Sequence, residues 1–257
     1  MSGHSKWSTI KRQKGLNDAK RGQSFTKIAN VISLAARLGG TGDVESNPRL
    51  RTAMDQARVM NMPKENIQRA IDRGLGNLPG QKLEEVTYEG YGPGKVAFIV
   101  EAVTDNKNRT LSEVRNMFDR SGGAMANSGS VSYMFEPMGE IRVFSKGGPM
   151  DDEILEIIDL GAEDVEDYKD EGDGVNIQRY LVYTKSSELN TMSKSITQLG
   201  YKIESAELVM KPKIMQTISE PEVAKKVVEF TQRLEDSDDI QKVFPNFDIP
   251  EEILNSL

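Results

Sequence analysis

A tryptophan set among cations is the first feature of the sequence able to do chemistry. Trp7 lies between His4, Lys6, Lys11, Arg12 and Lys14. An indole can stack on a nucleic-acid base while neighbouring lysines and arginines hold phosphates. The same ring can instead pack back and anchor its segment. Lys20, Arg21, Lys27, Arg49, Arg51, Arg58, Arg69 and Arg73 extend the set of possible phosphate contacts, with some of them on solvated faces. A run of small residues, Gly122-Gly123-Ala124-Met125-Ala126-Asn127-Ser128-Gly129-Ser130, could offer backbone N–H groups to an anion or form a plain helix-to-strand loop.

Two other patterns fail on inspection. Gly90-Tyr91-Gly92-Pro93-Gly94-Lys95 has Glu89 where a phosphate loop needs glycine, and Val96 where it needs serine or threonine. It reads as a hairpin turn. The acidic stretch 163–173 offers no frame with calcium-loop spacing and reads as a solvated loop.

Composition narrows the chemistry further. The 257 residues contain no cysteine and one histidine, which removes disulfides, thiol nucleophiles and thiolate metal sites. No metal, cofactor or small-molecule substrate is expected, and no motif supports an enzyme. No apolar run approaches the roughly 18 residues of a membrane helix, and Met1–Lys14 lacks the apolar stretch of a secretory signal. A soluble intracellular protein is expected. The net charge of −7 conceals a division. Residues 1–76 hold 14 Lys+Arg against 6 Asp+Glu, a net +8, and the remainder holds 19 against 34, a net −15. A basic head on an acidic body points to a polyanion partner for the head alone.

Periodicity supplies the elements that must carry these residues. Phe25, Ile28, Ile32, Ala35 and Ala36 share a helical face that ends at Gly39-Gly40. Asn47 caps a second helix with Pro48 at its first position, and a third opens near Pro63 and ends about Gly74. Residues 74–82 read as a linker. Beyond it, strands are expected at 86–91, 95–103, 131–135, 141–144, 175–183, 204–218 and 240–244. Helices are expected after a Thr110–Glu113 capping box, over 151–160 and 187–199, and after a Ser219–Glu222 box. The fold class is α+β: a three-helix domain (1–76), then two split βαβ, ferredoxin-like domains. One domain (137–204) is inserted into the other (83–136 plus 205–248).

Several motifs resemble the YebC/PmpR family. They are Ser2-Gly3-His4-Ser5-Lys6-Trp7, Asp18-Ala19-Lys20-Arg21-Gly22, Asn47-Pro48-Arg49-Leu50-Arg51, Asn61-Met62-Pro63-Lys64, Tyr88-Glu89-Gly90-Tyr91-Gly92-Pro93 and Asp105-Asn106-Lys107-Asn108-Arg109-Thr110. The match runs through most of the chain and is weaker beyond about residue 146. The resemblance implies the same three domains, a cytoplasmic protein and no known catalysis. It implies nucleic acid as partner: bacterial members are described as DNA-binding transcriptional regulators. Organellar relatives are translational activators, and bacterial members are also tied to the ribosome and to stalled proline-rich synthesis. The expected function is a non-enzymatic, DNA-binding transcriptional regulator acting through Lys6, Trp7, Lys11, Arg12, Lys14, Lys20, Arg21, Lys27, Arg49, Arg51 and Arg58. The alternative is a ribosome- or rRNA-associated translation factor.

Overall fold

The computed structural model describes residues 18–78, 82–170 and 177–254. They form two compact units, residues 18–131 with 225–245, and residues 132–224 with 246–254.

The first unit opens with α1 (Asp18–Gly39), α2 (Pro48–Val59) and α3 (Lys64–Gly74). Ile28, Ile32, Ala35, Leu50, Ala57 and Ile71 are buried together between them. Asn47 directs the α1–α2 corner. Its side-chain oxygen accepts from Leu50 N at 3.0 Å, and its amide donates to the Ala35 carbonyl at 2.9 Å. Gly74 is required by close packing. A Cβ there would stand 2.2 Å from the Ser33 carbonyl oxygen, so α1 and α3 touch backbone to backbone. Ser33 Oγ donates to Ala70 O at 2.7 Å in the same crossing.

The helices are followed by β1 (Glu84–Tyr91), β2 (Ala97–Thr104), α4 (Lys107–Arg120) and β3 (Ala124–Ala126). The antiparallel sheet has the order β3-β1-β2-β9, its last member lying at Ile240–Pro245. Phe98, Phe118 and Phe230 meet edge to face, with centroids 4.9–6.1 Å apart. The Thr110–Glu113 capping box does not form. Asn106 caps α4 instead, accepting from Arg109 N at 3.1 Å. Thr110 is buried one turn in and bonds to Asp239 Oδ2 at 2.7 Å. Arg109 donates to the same oxygen at 2.9 Å.

The second unit runs β4 (Phe135–Phe144), α5 (Met150–Ile158), β5 (Asp164–Asp170), β6 (Ile177–Lys185), α6 (Leu189–Gln198) and β7 (Lys202–Pro212). Its antiparallel order, β5-β6-β4-β7, is the expected split βαβ arrangement, with α5 and α6 packed through Ile157, Met192 and Ile196 on one face. Two sequence expectations change here. The acidic stretch is mostly strand β5, because Val165 packs into the core on one face and Tyr168 is buried on the other. The expected boundary at 204 falls inside β7. Ile203 and Ala206 both pack against the core, and the strand pairs with β4 from end to end. A parallel pair, β8 (Gln216–Thr217) and β10 (Phe247–Asp248), and a short α8 (Glu251–Leu254) complete this unit. Between β8 and β9 the chain forms α7 (Pro221–Glu235). No helix among the described residues is long and apolar enough to cross a membrane.

Two outcomes test this packing. Gly74→Ala replaces a poor helix former, yet it is expected to lower stability by about 1–3 kcal/mol through overpacking. An unchanged or raised Tm would refute the backbone contact between α1 and α3. Burial pushes the Asp239 carboxyl up, but hydrogen bonds from Arg109, Thr110 and Thr104 and the Arg109 charge outweigh it, so its pKa lies below the ordinary value. The resulting stabilisation is full above the unfolded carboxyl pKa near 4 and disappears as pH falls through the lower folded value. Asp239→Asn should therefore flatten the acid limb of a stability–pH curve, and a curve parallel to wild type would refute the assignment.

Candidate nucleic-acid interface

Of the cations expected to meet phosphate, Lys6, Lys11, Arg12 and Lys14 lie outside the described residues, as does Trp7. Lys20 and Arg21 are carried by the first turns of α1. The side chains of the other six, Lys27, Arg49, Arg51, Arg58, Arg69 and Arg73, lie among the described residues. Lys27 donates to the Glu235 carbonyl. Arg49 pairs with Glu85. Arg51 closes the loop before α2, with Nε 3.1 Å from Val44 O and an amino group 3.2 Å from Glu45 Oε2. Arg58 pairs with Asp55, three residues back on α2, at 2.9 Å.

These cations do two different jobs. Lys27 and Arg49 fasten the helices to the sheet side of the unit, joined by Gln23, which donates to Asp236 O at 3.1 Å, and by Arg37, which donates to Leu83 O. Arg73 is structural as well. Its guanidinium bonds Asn30 Oδ1 at 2.7 Å and Ser33 Oγ at 3.1 Å, and burial lowers its pKa. Arg58 is engaged only in an exposed ion pair, and the exposed pair of Arg51 with Glu45 accompanies bonds to the Val44 and Glu45 carbonyls; such exposed ion pairs contribute about 0–1 kcal/mol each. Phosphate oxygens can replace such carboxylates at little cost, since a polyanion also releases counterions. Lys64 and Arg69, on α3, are exposed and make no ion pair among the described residues. Arg69 belongs to the sequence-derived set. Lys64 entered there through the charge sum and the Asn61-Met62-Pro63-Lys64 motif, not as a phosphate contact.

The glycine-rich run behaves differently from an open anion site. Gly129 adopts φ +88°, and the N–H groups of Gly129 and Val131 both donate to the carboxylate of buried Glu89 at 2.8 Å. The protein fills these two donors with its own anion. Beside this loop, exposed Arg115 of α4 lines a hollow of about 390 Å³ with Asp119, Asn127 and Ser128. Sequence reasoning missed Arg115, whose only signal was a cation on the polar face of an amphipathic helix. The Gly90–Lys95 segment is the expected hairpin turn, with Gly92 N donating to Val96 O at 2.8 Å.

Glu89→Gln places its NH₂ against one of the two N–H donors in either orientation, and loses the charge that strengthens both bonds. The expected cost is about 1–3 kcal/mol, with faster amide hydrogen exchange at Gly129 and Val131. Wild-type exchange at both amides would overturn the carboxylate plug.

Comparison with known proteins follows the same division of the chain. The profile described as "TACO1/YebC protein N-terminal domain" matches residues 5–77, and "TACO1/YebC second and third domain" matches residues 83–247. Two similar relatives are both named "Probable transcriptional regulatory protein". The one from Moorella thermoacetica is 48% identical over 100% of this chain and 99% of its own. The one from Dictyoglomus thermophilum is 45% identical over 100% of both chains. The crystal structure of a conserved hypothetical protein from Aquifex aeolicus superposes with a TM-score of 0.80 at 46% identity, covering 92% of this chain and 94% of that one. With both profiles and full-length relatives in agreement, the chain belongs to the TACO1/YebC family.

Proposed function

We propose that this protein is a non-enzymatic, nucleic-acid-binding regulator of gene expression, a DNA-binding transcriptional regulator working in the cytoplasm. Its basic N-terminal domain, residues 1–76, makes the contact. The observation that carries this reading is the charge division, +8 in the first 76 residues against −15 in the rest. It is supported by the state of the head's cations: Arg58 sits in a weak surface pair, Arg51 is half-exposed on its loop contacts, and Lys64 and Arg69 face solvent. The names of the curated relatives point the same way. Phosphate contacts of this kind position a protein on nucleic acid without reading sequence. The acidic remainder repels the same polyanion, which makes the head the principal point of encounter.

A translation factor held on ribosomal RNA would use the same cations. Crosslinking in cells followed by sequencing separates the two readings: discrete promoter DNA establishes the regulator, and crosslinks concentrated in ribosomal RNA replace it with the translation factor. In vitro, about six to ten head cations on phosphates predict a fall in duplex affinity of roughly 10³–10⁵ between about 50 and 200 mM salt. Charge reversal of Lys11, Arg12 and Lys14 together should flatten the salt slope measured by fluorescence anisotropy. A slope left unchanged would remove the N-terminal segment from the contact.

A further inference from the structure

Tyr133 breaks the pattern of aromatic burial. It is 58% exposed, while the other described tyrosines and all eight phenylalanines are buried or half-buried. It stands on a single turn of 3₁₀ helix, Ser132–Met134, just before β4. Ile214 and Met215 are also exposed, and a hydrogen bond ties their segment to Tyr133's neighbour: Lys213 N donates to Met134 O at 2.7 Å.

The corner is held from several sides. Asn246 donates its side-chain amide to Ile214 O at 2.9 Å, and Gln216 N donates to Asn246 O at 2.8 Å. The ring therefore projects from a fixed backbone. Lys213 is exposed and makes no ion pair among the described residues, unlike Lys211 two residues earlier, which pairs with Asp164 at 2.6 Å.

We propose that Tyr133 and Lys213 form a second contact for single-stranded nucleic acid, with an unpaired base stacked on the Tyr133 ring and a phosphate at the Lys213 ammonium. This rests on the reading that the protein binds nucleic acid. Size and charge decide between a nucleic acid and a protein partner. Three exposed apolar side chains fall well short of the roughly 800 Å² that each partner contributes to a stable protein interface. A ring, a short apolar shelf and an uncommitted cation suit one nucleotide. A base within a duplex is already stacked on both faces, so the contact discriminates strand state.

The test is anisotropy with a labelled 16-nucleotide oligo-U strand and a DNA duplex of equal length, using the full chain. Tyr133→Ala is expected to weaken the single strand by about 5- to 150-fold and leave the duplex unchanged. Tyr133→Phe, which keeps the ring, should bind like wild type, and Lys213→Ala should reduce the salt slope by about one charge. Lys64→Glu with Arg69→Glu serves as the control for the head. If Tyr133→Ala binds the strand normally while the head variant is impaired, the stacking contact is wrong and the nucleic-acid reading survives. If Tyr133→Ala weakens strand and duplex alike, stacking on an unpaired base is overturned. If the wild-type chain binds neither probe at low salt, the functional reading fails and this proposal falls with it.

Discussion

Helix α1 takes part in two packings at once, and the first unit depends on it. Ile28, Ile32 and Ala35 close the three-helix core, while Leu34 packs with Leu83 and Val103 of the adjoining sheet region. A helix shared in this way cannot be shifted to improve one core without damaging the other. The backbone contact at Gly74 fixes its distance from α3, and the Asn47 bond to the Ala35 carbonyl fixes where it must end. The three helices are thus tied through α1 to the sheet region that follows them.

That arrangement sorts the basic residues. Cations whose side chains reach back toward the sheet become structural, as Lys27, Arg37 and Arg49 do through Glu235, Leu83 and Glu85. Arg73 of α3 is likewise structural, bound to Asn30 and Ser33 of α1, whereas Arg58, Lys64 and Arg69 are held loosely or left to solvent. One excess of positive charge therefore serves cohesion and attraction, and the partition follows from position on the helices more than from residue type.

Much of the fold was legible because its signals are local. Asn47-Pro48 names a helix start within two residues, and the apolar run Tyr180–Tyr183 of β6 and the stripe of α6 each show within one element. The errors have long-range causes. Asn106 and Thr110 are both competent caps. What places Thr110 inside the helix is Asp239, 129 residues away. The acidic stretch reads as solvated until β6 pairs with it and buries Tyr168. Among the expected site residues, charge sign was readable, but the partners of Lys27 and Arg49 were not, since Glu235 and Glu85 are remote in sequence. Tyr133 was read as part of a strand-like segment. The 3₁₀ turn that throws it outward has no distinctive composition.

Strand β5 has a further consequence for the protein in a crowded cell. It forms one margin of its sheet, its outer backbone unpaired by any strand among the described residues. A bare margin is a template on which a second copy could add, the first step toward aggregation. This one carries Asp164, Glu166, Asp167 and Asp170 along seven residues. Two such margins approaching each other would bring like charges into register at strand spacing. The residues that made the segment look unstructured thus act as gatekeepers against self-association.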